Sequence, residues 1–368
     1  MRKRSGIILA TVLFVFVSGG SAQSGRSKPT PTPTPDEVKI VTEEVKLNVL
    51  AFDEDGKFVG DVKEGDLVIT EDNVLHQPSS VRRIPANVLI VMDTGGELRA
   101  VKNLDQTKKT ARAVAAALRP GDSIAVIQYS DKPEILVEWT DDKKLVADGI
   151  KRAKFGRKSL FVDAIDLATD FLTKSGMDNK HLVLITDGTD SLDRSSARFD
   201  SFQRLLGTDI SVHVISYTGM EARDIEPRTK GLSKTQPPPA MPPEVAAGLP
   251  PGVRDQATAP KIGPVINIDR KYLKTMRKRK ADLETAEEEL GKLAENTNGE
   301  MIIPESLDEM VDRTAVVARM IDSSYVVTYI PKTPLSEKSN ERSIDVTSKR
   351  PGLVVQSRRK LVPPSSRE

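Results

Sequence analysis

Asn87–Glu97 reads NVLIVMDTGGE, and this stretch decides the fold. Val88–Met92 is a continuous apolar run of strand length. Such a run suits a central strand covered on both faces. Asp93 falls where that strand ends, and Gly95-Gly96 forces a turn. A lysine- and alanine-rich amphipathic helix is predicted next, over 99–118. A carboxylate at the end of a parallel strand, before a turn and a helix, lies where open α/β sheets place ligand sites.

Downstream, strand and helix patterns alternate. SIAVIQY (123–129) and the shorter-connected KPEILVEW (132–139) predict an antiparallel edge pair. Helices are expected over 143–153 and 160–174. HLVLIT (181–186) is a second buried strand, ending in Asp187-Gly188-Thr189-Asp190. A helix over 195–206 and the strand ISVHVISY (210–217) follow. The alternation predicts a doubly wound, mostly parallel α/β sheet.

The pattern breaks at Thr218. Residues 218–269 hold PPPAMPPE and LPPG and read as a long, unstructured proline-rich insertion. A charged helix over 270–296, basic first and acidic later, then ends at Thr297-Asn298-Gly299 through a left-handed cap. Its charge order opposes the helix dipole, which reads as a solvated face with local ion pairs or as a basic patch toward a partner. EMIIP and a helix over 307–322 complete the α/β domain, 86–323.

Both flanks are β-like. Residues 37–84 alternate polar and apolar, with a turn at Asp53–Lys57 and another at Glu71-Asp72-Asn73. Residues 324–362 hold YVVTYI, RSIDVTS and GLVVQSRRKLV. Each is too small to fold alone. The economical solution joins them into one small β-sandwich, with the α/β domain inserted in it.

The first residues belong to neither part. Arg2, Lys3 and Arg4, the apolar run Gly6–Val17 and the small residues Gly20-Ser21-Ala22 form a signal peptide, 1–22. Gln23–Asp36 is a Pro/Thr-rich linker. Cleavage takes Arg2, Lys3 and Arg4 and no acid, so the formal net charge moves from +2 to −1. A near-neutral chain gives no case for nucleic acid. With no cysteine, the chain has no disulfides and no cysteine-linked lipid. A secreted or periplasmic location is expected, with no membrane span after cleavage.

VLIVMDTGGEL, KSLFVDAIDLA and VLITDGTDS together resemble the motifs of von Willebrand factor type A domains. The flanks are similar to those of secreted bacterial proteins of that family, through Val49–Val59, Glu71-Asp72-Asn73 and Tyr325–Pro331. The resemblance implies a metal-ion-dependent adhesion site for a divalent cation, magnesium or calcium, which takes oxygen ligands. It places Asp93 at the first aspartate, Asp187 at the later one and Ser159 at the threonine. Gly95 and Glu97 stand at the two serine positions, so the site is degenerate, and Glu97 offers a third carboxylate. Asp190 and Thr189 are further candidates on the second loop.

Walker-type and Gly-x-Ser-x-Gly patterns are absent, and no catalytic residue is assigned. His181 and His213 lie at strand positions that suit packed histidines. The expected function is a non-catalytic interaction module binding another protein or an envelope component. A metal-independent structural envelope scaffold is the alternative. A remote one is an aspartic-type peptidase using Asp93-Thr94-Gly95, for which a second aspartate must share a proton.

Overall fold

The computed structural model describes residues 43–96, 101–233, 246–258, 265–266, 268–334 and 341–362. The expected signal peptide and linker, and Glu97, lie outside the described residues.

The first flank contributes β1 (Val45–Phe52), β2 (Leu67–Glu71), β3 (Val74–His76) and β4 (Ser80–Arg82). The α/β region begins with β5 (Asn87–Asp93), α1 (Leu104–Ala117), β6 (Ser123–Tyr129), β7 (Pro133–Thr140), α2 (Lys143–Lys151) and α3 (Phe161–Lys174). It continues with β8 (Lys180–Thr186), α4 (Ser195–Leu206), β9 (Ser211–Ser216) and α5 (Thr218–Ile225). Next come β10 (Leu232–Ser233), α6 (Val253–Thr258), β11 (Val265–Ile266) and the long α7 (Arg270–Asn296). β12 (Met301–Ile302), α8 (Leu307–Asp312) and α9 (Thr314–Asp322) close the region. The second flank holds β13 (Ser324–Tyr329), β14 (Arg342–Ser348), β15 (Val354–Ser357) and β16 (Lys360–Leu361).

The central sheet has the order β12-β9-β8-β5-β6-β7. Its strands are parallel except β7, which pairs antiparallel with β6 through an irregular register. β5 shows why the continuous apolar run forms a central strand. Val88, Ile90 and Met92 pack into one core with residues of α1, α2, α8 and α9. Leu89 and Val91 pack into the opposite core with residues of α3, α4 and α7. Both faces of the sheet are therefore dry, as a parallel sheet requires.

The two flanks pair with each other. β1 runs antiparallel to β13 from Val45↔Tyr329 to Leu50↔Ser324, and also to β15. β2 pairs with β14. Two four-stranded sheets, β15-β1-β13-β4 and β16-β14-β2-β3, enclose a third core. Strand alternation explains the role of β1. Val45, Leu47, Val49 and Ala51 fill that core. The intervening Lys46 and Asn48 face the α/β region, where Lys46 pairs with Asp178 and Asn48 Nδ2 donates to Ser211 Oγ at 3.0 Å.

Three expectations need correction. α1 starts at Leu104, not 99, with Asn103 as its cap accepting from Gln106 N–H. Val101 and Lys102 are held outside the helix because their N–H groups both donate to Glu221 Oε1. The expected insertion is not unstructured from Thr218: α5 begins there and buries Met220, Glu221 and Ile225. The sequence reading saw the prolines further on and missed this amphipathic turn; residues 234–245 lie outside the described residues. Finally, the helix expected over 307–322 is broken into α8 and α9 at Arg313.

His181 and His213 are buried side by side at the base of β8 and β9. Their hydrogen bonds fix one arrangement. Glu300 N–H donates to His213 Nδ1, so the proton of neutral His213 sits on Nε2 and points at His181 Nδ1, 3.1 Å away. His181 Nε2–H then points at Asn179 Oδ1. Adding a proton to either ring breaks this chain. Burial accordingly lowers the pKa of His213 to about 4 and, with His213 beside it, pushes His181 well down. An unfolded histidine binds its proton near pH 6.5. The stabilising contribution is thus complete above that pH and is lost as pH falls toward the folded value. Stability is expected to fall between pH ~6.5 and ~4, by up to ~3 kcal/mol for His213. Melting temperature against pH checks this; a slope unchanged in His213→Gln would refute it.

Candidate functional site

Strand order places β8 and β6 on opposite sides of β5, so chain direction switches at the C-terminal ends of β5 and β8. That switch point is where open α/β sheets gather ligand-binding groups. Asp93 ends β5, and Asp187 follows β8; both are fully buried.

An ammonium group lies between them. Lys102 Nζ donates to Asp93 Oδ2 at 2.7 Å and to Asp187 Oδ2 at 2.9 Å. Both carboxylates accept further bonds. Asp93 Oδ2 accepts from Tyr129 Oη–H at 3.0 Å and Ser159 Oγ–H at 3.1 Å, and Asp93 Oδ1 accepts from Gly95 N–H at 3.1 Å. Asp187 Oδ1 accepts from Thr189 N–H and Thr189 Oγ–H at 2.9 and 2.6 Å. Arg279, from α7, donates Nη2–H to Asp187 Oδ2 at 3.0 Å and also bonds Thr189 Oγ1.

The loop carrying Lys102 is fixed by backbone bonds. Glu221, fully buried in α5, accepts from Val101 N–H at 2.8 Å and Lys102 N–H at 2.6 Å. The lysine side chain is 1 % exposed. These contacts set the protonation states. For Lys102, burial opposes the charge, but Asp187 and Asp93 outweigh it and raise its pKa. For Asp187, burial also opposes the charge, and Lys102 and Arg279 outweigh it, holding the carboxyl well below the usual range. Asp93 is pushed up, because burial and neighbouring Asp187 prevail over Lys102.

The structure thus brings Asp93, Ser159 and Asp187 together, while Glu97 lies outside the described residues. Gly95 supplies only a backbone N–H to Asp93. Asp190 turns away from the centre. It accepts from Val162 N–H in the first turn of α3 and pairs with Arg194. Such use of an acidic side chain at a helix start is ordinary capping.

Sequence reasoning missed Lys102, Arg279, Glu221 and Tyr129. Lys102 was read as one more lysine of an amphipathic helix. Its one signal is position, immediately before the capping residue Asn103. Arg279 belonged to the basic half of a helix read as a solvated face or a basic patch, yet its side chain is only 12 % exposed.

A divalent ion needs oxygen ligands at about 2.0–2.6 Å and an open position. Here the space between the carboxylates is filled by a protonated amine, which has no lone pair to give. The described residues do not fit a resident divalent ion. Among the described residues, no group of three or more His, Cys, Asp or Glu side chains is placed to hold a metal.

No curated protein sequence matches the chain. Among solved structures, it is similar to an aerotolerance-related membrane protein from Bacteroides fragilis, at 16% identity, covering 63% of this chain and 98% of that one, with a TM-score of 0.38. A von Willebrand factor type A protein from Catenulispora acidiphila is 9% identical, covers 89% and 76% of the two chains, and has a TM-score of 0.40. The manganese-loaded TRAP protein of Plasmodium vivax is 9% identical, covers 79% and 97%, and has a TM-score of 0.34. Likenesses this distant carry nothing about function. Among the described residues, no helix is long and apolar enough to cross a membrane. The family model of the von Willebrand factor type A domain matches residues 88–189. That match runs from Val88 in β5 to Thr189 beside Asp187, so this part of the chain has the von Willebrand factor type A-like α/β fold.

Proposed function

We propose that the chain is an exported, non-catalytic protein-interaction module. Its type A domain, 86–323, is inserted in a β-sandwich formed by 37–84 and 324–362, and the pairing of β1 with β13 supports that partition. The observation that carries the functional reading is the closed centre: Asp93 and Asp187 are buried and bonded within the chain. Peptidase chemistry needs two carboxylates sharing a proton. Here Asp93 is buried and paired with the Lys102 ammonium, which speaks against the shared proton that Asp93-Thr94-Gly95 would need with the same motif of a second copy. The degenerate adhesion site recruits no acidic ligand through a metal, and the partner is bound by surface outside it.

Crosslinking of the purified chain to envelope proteins, with and without a chelator, tests this. The same partners are expected in both cases. Partners lost on chelation and recovered with Mg²⁺ would overturn the metal-independent reading. Absence of any reproducible partner would favour the structural scaffold instead.

A further inference from the structure

We propose that Lys102, seconded by Arg279, is a built-in replacement for the divalent cation of a type A domain. The centre then locks the fold without metal. This deepens the closed-site reading above, and it rests on the same geometry.

Position is the first argument. The ammonium lies 2.7 and 2.9 Å from one oxygen of each strand-end carboxylate. These are lengths of charge-assisted N–H···O bonds, longer than most metal–oxygen bonds. An ion held by the same two oxygens would collide with the nitrogen. The hydroxyl of Ser159, placed by resemblance at the threonine ligand, reaches the same Asp93 oxygen.

Charge is the second. Lys102 and Arg279 together supply two positive charges against Asp93 and Asp187, the same total as one divalent ion. A metal added to this set would leave buried positive charge uncompensated, which costs heavily in a dry site.

Anchoring is the third. Lys102 cannot easily leave, because Glu221 holds its own N–H and that of Val101, and Asn103 starts α1 directly after it. The ammonium is therefore held from the ends of β5 and β8, and its backbone from α5 and the start of α1. Arg279 adds α7, so the centre ties the longest helix of the described chain to the sheet. A metal site leaves a coordination position for an outside carboxylate. This centre leaves none beside Asp187, which Arg279 covers from within.

Thermal unfolding and Mn²⁺ electron paramagnetic resonance on the purified chain test the proposal. The wild-type melting temperature is expected to be unchanged by chelator or by millimolar Mn²⁺, and free Mn²⁺ signal should not fall on adding protein. Lys102→Ala leaves two buried carboxylates without their shared partner and is expected to lower the melting temperature by ~10 °C. Millimolar Mn²⁺ should recover part of that loss, and not in Asp93→Asn/Lys102→Ala. If single variants do not fold, Asp93→Asn/Lys102→Met decides. It removes one charge of each sign and is expected to be more stable than Lys102→Met. Wild-type uptake of Mn²⁺ that Asp93→Asn abolishes overturns the proposal. So does a Lys102→Ala chain as stable as wild type, or a double variant no more stable than Lys102→Met. These outcomes do not depend on finding a partner, so they separate from the crosslinking result.

Discussion

Replacing Gly95 by serine, which would restore the first serine of the adhesion motif, is expected to destabilise the chain by more than ~3 kcal/mol. A Cβ built on Gly95 falls 1.8 Å from the Lys158 carbonyl oxygen and 2.9 Å from Ser130 Cα. Both are backbone atoms, so no side-chain rotation relieves the clash. The strand end at Gly95 bridges Gly156 in the facing loop, and Gly156 N–H donates to Thr94 O. Moving Lys158 away would disturb that bridge and Ser159, which bonds Asp93. A loss of this size lowers the melting temperature by roughly 10 °C in a domain of this size. Gly65→Ala is the control, since its added Cβ meets nothing within 4 Å and its backbone has no positive φ. If Gly95→Ser melts with the wild type, the chain can accept the motif, and the degenerate site is only a sequence accident.

Arg342→Ala is expected to cost ~3–5 kcal/mol, the usual penalty for breaking a buried ion pair from one side. Arg342 is 1 % exposed and pairs with Glu71 across the β14–β2 ladder. It also donates to the carbonyls of Thr333 and Pro334. Removal leaves Glu71 charged and buried, with His76 Nε2 at 3.4 Å as its other charged-capable neighbour. It also removes the Arg342 donor from these two carbonyls. Urea unfolding gives the value. Glu71→Gln/Arg342→Met should recover much of the loss, because neither partner is then stranded. A change below ~1 kcal/mol in Arg342→Ala would mean that water reaches Glu71 and that the sandwich is less tightly closed than its geometry implies.

Much of the fold was legible in the sequence because burial on two faces writes a continuous apolar run, and burial on one face writes alternation. NVLIVMD, HLVLIT and SVHVIS each gave a strand, and β1 its alternation. The antiparallel edge followed from a turn too short for a crossover. The start of α1 was misplaced because local pattern cannot register a distant acceptor, and Glu221 lies over a hundred residues away. The candidate site was half legible. Its carboxylates and Ser159 sit in motifs, so resemblance reached them. Lys102 and Arg279 sit in basic stretches whose other described members are half-buried or exposed, and only tertiary placement separates a buried cation from a solvated one. The basic half of α7 pointed to solvent or a partner; one of its arginines instead serves the chain's own interior.

The two ends of the central sheet also respond differently to acid. Asn179 joins the segments on either side of the central sheet, donating to Ile84 O and accepting from Ser324 Oγ–H. The histidine pair sits on this joint, bonded to the same Asn179 oxygen. The lysine-bridged centre lies at the other end of β5 and β8, a strand length or ~20 Å away. Mild acid therefore acts on the histidine pair at this joint, and at the far end Asp187 resists protonation while Asp93, pushed up by burial and by Asp187, does not. The histidines whose charging opposes folding thus sit where β13 meets the central sheet.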